Sequence, residues 1–223
     1  MDDFTRDVTG ISALEDDLRR ELYLFVISRA APVGREEAAN ALGVPVHQAK
    51  FHLDRLEEAG LLESEYERLT GRSGPGAGRP AKIYRRRAHE ISVSLPGREY
   101  ALAGELMAAA IDEAADHGTP VVEALARVAR RRGKDIGMTA AGTATSLQTV
   151  TETLRRFGYE PRIEDEYVVM ANCPFHALAE THTKLVCEMN HALLEGVCDQ
   201  VGGLRAALVP AAGRCCVLLM ETT

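Results

Sequence analysis

The stretch 44–62, VPVHQAKFHLDRLEEAGLL, decides how the first half of the chain is read. Val46, Ala49, Leu53 and Leu56 recur every three or four residues and mark one apolar stripe of a helix. His47, Gln48, Lys50, Phe51, His52 and Arg55 fall off that stripe. Pro45 is tolerated in the first turn, and Gly60 ends the helix.

Working outward, a short helix is expected over Arg35–Leu42, with Ala38, Ala39 and Leu42 facing inward and a tight turn at Gly43. Before it, Leu14–Ala30 reads as an amphipathic helix on Leu18, Leu22, Leu24, Phe25 and Ile27. After it, Leu61–Leu69 and Ala81–Arg87 read as strands joined by TGRSGPGAGRP (70–80), whose Gly and Pro suit a long hairpin tip. Helix, short helix, turn, longer helix and hairpin is the order of a winged helix-turn-helix. In that arrangement the second helix of the pair enters the major groove of DNA. Gln48 can then read an adenine edge, Lys50 a guanine or phosphate, and Arg55 lies nearer the phosphate backbone. His47, Phe51 and His52 complete the expected surface, with Arg72, Arg79 and Lys82 supplying charge from the wing.

Charge distribution agrees with this. The formal net charge is −7, but Arg68, Arg72, Arg79, Lys82, Arg85, Arg86 and Arg87 form a basic run without an acidic residue. Such a segment can bind DNA locally on an otherwise acidic protein. The apolar fraction of 46% favours a packed globular chain. The acidic start MDDFTRDVTG is unlike a targeting signal, and no apolar run is long enough for a membrane span, so a cytoplasmic protein is expected. No phosphate-binding glycine loop, nucleophile elbow or metal-hydrolase motif is found, so an enzyme is not expected.

Past the hairpin, helices are expected at Arg98–Asp116, Val121–Arg132 and Ser146–Phe157, with a Gly, Ala and Thr loop over 133–145. The Ala-rich first of these is the candidate dimer helix. Two short strands flank Ile163–Glu166, helical sequence covers about 175–201, and Arg214–Met220 reads as a last strand. All five cysteines lie between Cys173 and Cys216. Clustered thiols without a signal peptide point to metal or redox chemistry rather than to a disulfide framework. Cys187 and Cys198 are eleven residues apart on one expected helix, or about 16 Å, too far to share one centre. Cys215 and Cys216, read as strand, point to opposite faces. The set left is Cys173, Cys187 and one of Cys215 or Cys216. A helix beginning near Phe175 would bring amides to the Cys173 thiolate. His176 is the candidate fourth ligand, with His191 and His182 as lesser ones. An iron–sulfur cluster, a zinc ion and metal-free reactive thiols all remain open.

Two resemblances sharpen this. HLDRLEEAGLLE (52–63) and GRPAKIYR (78–85) make residues 14–90 similar to the winged-helix domain of ArsR-type bacterial regulators. NCPFHALAETHTKLVCEMNHALLEGV (172–197), followed by GRCCV (213–217), resembles the sensor domain of actinobacterial SufR-type repressors of iron–sulfur assembly operons. That resemblance implies a cluster, a 4Fe-4S centre, on Cys173, Cys187 and Cys215. It also implies a homodimeric repressor on an inverted-repeat double-stranded operator. Cys198 and the doubled Cys215–Cys216 depart from the minimal pattern. The fold expected is α+β, an N-terminal winged helix-turn-helix followed by an α/β cysteine-rich sensor. The boundaries are a flexible tail at 1–10, the DNA-binding domain at 11–95, a helical dimerisation region at 96–145 and the sensor at 146–223.

Overall fold

The computed structural model describes residues 3–67, 80–140 and 146–222. The chain divides into two compact units, Met1–Val93 and Ser94–Thr223. In the first, α1 (Asp3–Ser12), α2 (Asp17–Ile27), α3 (Arg35–Leu42) and α4 (Val46–Glu58) accompany β1 (Val33–Gly34), β2 (Leu62–Glu67) and β3 (Ala81–Arg86). The strands form an antiparallel sheet in the order β1-β3-β2.

Local chemistry explains the boundaries. Asp16 caps α2 by accepting from the Arg19 amide at 2.8 Å. Between α3 and α4, Gly43 takes a left-handed φ of 68° that a side chain would resist. Ala38, Ala39, Ala49, Leu53 and Leu56 are buried with Leu22, Val26 and Tyr84. Three expectations are corrected. The segment expected as a tail forms α1, which packs its buried Gly10 where an added Cβ would lie 2.7 Å from Ile91 Cδ1. Val46, in the first turn of α4, is exposed rather than part of the stripe. In α2, Leu24 is exposed, and Val26, four residues beyond Leu22, joins it in the core.

The second unit contains α5 (Tyr100–His117), α6 (Val121–Met138), α7 (Ser146–Arg155), β4 (Pro161–Glu164), β5 (Tyr167–Met170), α8 (His176–Thr181), α9 (Thr183–Val201), β6 (Leu204–Leu208) and β7 (Val217–Glu221). Its antiparallel sheet runs β4-β5-β7-β6. α6 does not end near Arg132. It continues through Gly133 and Gly137 because those glycines let it press directly on α9. A Cβ on Gly133 would sit 1.9 Å from the Leu193 carbonyl oxygen, and one on Gly196 would sit 2.0 Å from that of Arg130. Glycine weakens a helix interior by about 1 kcal/mol, and here the close approach outweighs that penalty. β6 has no counterpart in the sequence reading, since LRAAL has little strand character of its own. It pairs with β7 from Leu204–Glu221 to Leu208–Val217.

Gly133→Ala and Gly196→Ala should therefore each destabilise the protein, on the order of 3 kcal/mol, because overpacked backbone cannot relax as a side chain does. Denaturant melts followed by circular dichroism measure this, and an unchanged midpoint would contradict the contact.

Candidate nucleic-acid interface and thiol centre

α4 presents His47, Gln48, Lys50, Phe51 and Arg55 outward, opposite its buried Ala49, Leu53 and Leu56. Phe51 is 54% exposed, and the Arg55 guanidinium lies 5.6 Å from its ring centre. Arg55 also bonds Glu58 at 2.9 Å, so contact with a phosphate requires exchanging that partner. These side chains form a shallow surface of aromatic and cationic groups suited to a groove floor and its phosphate walls.

Two expected contact residues face inward instead. His52 has a side chain only 14% exposed, 3.6 Å from Asp16, and accepts from Arg19 Nε at 3.5 Å. It secures the start of α2 to α4. Lys82 is 13% exposed and lies between Asp54 at 2.9 Å and Glu57 at 2.5 Å. Strand alternation turns it toward α4 rather than toward solvent. Arg72 and Arg79 lie outside the described residues.

Lys82 belongs to a network that joins the wing to the recognition helix. Asp54 Oδ1 accepts from Tyr84 Oη at 2.6 Å and from Arg35 Nη2 at 3.0 Å. Arg35 Nε also donates to Tyr84 Oη at 2.8 Å. Burial alone would raise the Asp54 pKa, but the bonds from Tyr84, Lys82 and Arg35 outweigh it and hold the carboxyl below its ordinary value. Glu57 is lowered in the same way, against burial, by Lys82 and Ser64. Burial would lower Lys82, and its bonds to Glu57 and Asp54 raise it instead. Burial first, then the bond to Asp54, pushes Tyr84 up to about 12, so it remains a hydroxyl donor.

In the second unit, Cys173, Cys187, Cys215 and Cys216 meet. Cys173 and Cys215 act most strongly on one another, and Cys216 acts on both Cys215 and Cys187, so the four side chains share one neighbourhood. Cys173 follows β5, where Asn172 Nδ2 ties the chain to the Gly158 carbonyl at 2.7 Å and Arg98 Nη1 donates to the Cys173 carbonyl at 3.0 Å. Cys187 stands in the second turn of α9. Cys215 and Cys216 are not strand residues with opposed side chains, because β7 begins only at Val217. The Cys215 amide bonds the Met170 carbonyl at 3.0 Å, and the bend at Cys216 returns its thiol to the same side.

Cys173 is raised by its bond to Cys215 and by burial. Burial raises Cys187. Cys215 is lowered by Cys173, but Cys216 and burial outweigh that and bring it up to about 11. Among the described residues, no group of three or more His, Cys, Asp or Glu is placed so that it could hold a metal ion. Ligation would require the thiols to close on the ion and lose their protons. The donor set nevertheless fits a thiolate-bound group. Backbone amides of Phe175 and Val217 donate to Cys173 and Cys215, and Asn190 Nδ2 donates to Cys215 Sγ at 3.2 Å. Such bonds gain strength when the sulfur is anionic.

His176 is exposed on α8 and pairs with Glu180 at 3.2 Å instead of turning to the thiols. His191 Nε2 lies 3.3 Å from the Ala206 carbonyl oxygen. Cys198 is buried elsewhere on α9, raised to about 12 by burial and by the nearby Asp199 and Glu195. Asn190 and its partner Tyr159 had no sequence signal beyond a polar residue on a largely apolar helix face.

Residues 14–65 match the helix-turn-helix domain family. That match, on the fold and surface of the first unit, defines a helix-turn-helix DNA-binding domain and supports a transcription regulator of winged-helix type. No curated protein and no solved structure matches the chain. No helix among the described residues is long and apolar enough to cross a membrane.

The network makes Lys82 an anchor. Lys82→Ala should lower stability, on the order of 1 kcal/mol, by removing the one cation shared by two half-buried carboxylates, although Asp54 keeps Arg35 and Tyr84 and Glu57 keeps Ser64. DNA affinity should fall while the slope of log affinity against log salt stays unchanged, whereas losing a phosphate contact would reduce that slope by about one. Asp54 and Glu57 have depressed pKa values in the folded state. Their contribution is full above the ordinary carboxylate range, near pH 4, and is lost as pH falls through the lower folded values. Asp54→Asn should blunt that acid dependence, as read from melting temperature against pH.

Proposed function

We propose that the chain is a cytoplasmic homodimeric transcription repressor that binds an inverted-repeat operator under the control of an iron–sulfur cluster, a 4Fe-4S centre. The observation that carries this reading is the meeting of Cys173, Cys187, Cys215 and Cys216 in the unit that follows the helix-turn-helix. Cys173, Cys187 and Cys215 would hold the cluster, with Cys216 rather than His176 as the fourth thiol at hand. When bound, the cluster supplies an electron-rich centre sensitive to oxidation and to iron and sulfide supply. The chain's own part is to collect thiols from the end of β5, from α9 and from the segment before β7. Amide donors then offset their negative charge.

Two outward apolar stripes support the dimer. α1 exposes Phe4, Val8 and Ile11, and α5 exposes Ala101, Gly104, Ala108, Ile111 and Ala115 at the alternating spacing of a helix seam. A two-fold dimer would place its recognition helices about one DNA turn apart, which an inverted repeat mirrors. Helix-turn-helix regulators are in general not enzymes. The thiol centre in this reading senses and does not catalyse.

A centre bound in one conformation shifts the population toward it. The holo-protein should therefore bind operator at least about tenfold tighter than apo-protein at one salt concentration, a coupling of roughly 1.4 kcal/mol. Gel-shift titration of anaerobic holo- and apo-protein measures it, and equal affinities would remove the cluster from control. Cys173→Ser, Cys187→Ser and Cys215→Ser should each lose the visible absorption of the anaerobic protein, and Cys198→Ser should keep it. A colourless wild type carrying stoichiometric zinc would replace the cluster with a zinc site.

A further inference from the structure

Asn190 is fully buried on α9 within an otherwise largely apolar core that includes Phe175, Val186, Met189 and Leu194. A buried amide is tolerated only when its donors and acceptor are met. Both ends of this one are engaged. Its oxygen accepts from Tyr159 Oη at 2.5 Å, and its nitrogen donates to Cys215 Sγ at 3.2 Å. The two ends of an amide are distinguished by the network around them. Tyr159 is itself buried and offers a hydroxyl hydrogen. A thiolate or metal-bound sulfur can only accept, so it takes the N–H end and the amide oxygen takes the Tyr159 hydroxyl hydrogen. A leucine would fill the same space without a polar group to satisfy, so core packing alone does not call for this residue.

We propose that Asn190 is a positioning residue of the thiol centre. Locked by Tyr159, it aims an amide N–H at Cys215 and so sets both the affinity of that sulfur for metal and the reduction potential of a cluster bound there. This rests on the cluster reading of the site for its redox half alone. Asn190 stands three residues beyond Cys187 on α9. One helix thus supplies a ligand and the donor that acts on a second ligand from another segment. Hydrogen bonds to ligand sulfur favour the more electron-rich reduced form of a cluster and raise its potential. Partners behind metal ligands typically contribute about 10- to 100-fold in metal affinity.

Wild type, Asn190→Asp, Asn190→Leu and Tyr159→Phe separate the possibilities. Asn190→Asp can still accept from Tyr159 but has no N–H to give, and Tyr159→Phe keeps the amide while releasing its lock. After anaerobic reconstitution with ferrous iron and sulfide, redox titration followed by visible absorption should place both Asn190 variants at more negative potentials than wild type. Tyr159→Phe should shift less in the same direction. In parallel, cobalt(II) added to the metal-free proteins and read by its sulfur-to-cobalt charge-transfer band should bind about tenfold or more weakly to the Asn190 variants. Far-ultraviolet circular dichroism confirms that each variant folds, and Tyr159→Phe carries the test if the Asn190 variants do not. Equal potentials and equal cobalt affinities across the folded proteins overturn the proposal. A wild type that takes up cobalt but no cluster discards the iron–sulfur reading, and the cobalt comparison then decides the donor role alone. A wild type that binds neither overturns both.

Discussion

The close crossing of α6 and α9 is the constraint on which the second unit depends. At Gly133 and Gly196 the two backbones approach to distances that exclude even a Cβ, and at Gly137 an added Cβ would lie 2.6 Å from Gln200 Cβ. Direct backbone contact leaves α9 little freedom to slide, because any shift brings a carbonyl against a methylene. α9 in turn carries Cys187 and Asn190, so the place of one thiol and one sulfur donor follows from three glycines that touch neither. The sheet supplies the rest. β5 delivers Cys173 at its end, and the entry to β7 delivers Cys215 and Cys216.

The recognition helix was legible in the sequence because Ala49, Leu53 and Leu56 repeat at helical spacing and Gly43 and Gly60 mark its neighbours. Periodicity reports which residues face the core. It does not report what a long polar side chain does once there. Lys82 and His52 show this limit, since each is polar, stands beside exposed cations and is held by carboxylates from another element. The acidic partners Asp54 and Glu57 sit on the same helix as the expected DNA contacts, and sequence spacing alone did not connect them to the wing.

The thiol segment divides in the same way. That Cys198 stands apart from Cys187 on α9 matches reasoning from helical rise. That Cys215 and Cys216 share a side does not, because the alternation rule applies only once β7 has begun at Val217. A three-residue shift at a strand boundary, from Arg214 to Val217, exchanges an expected opposition for a pair. The glycines of α6 misled for a related reason. By composition they read as part of a Gly, Ala and Thr loop, although their role is set by α9, which lies some sixty residues further on.

The two units handle buried polarity by opposite means. Around Asp54, charges of both signs are brought together and each is satisfied, so the network favours one arrangement of wing and recognition helix whatever is bound. Around Cys215, the Asn190 amide donates to the sulfur, and Cys216 and burial raise its pKa. The first network is complete within the chain. In the second, an N–H aimed at sulfur gains strength whenever that sulfur is anionic. Ion pairs thus fix the reading surface of the first unit, whereas in the second a neutral amide, held by a tyrosine hydroxyl, is set against a buried sulfur.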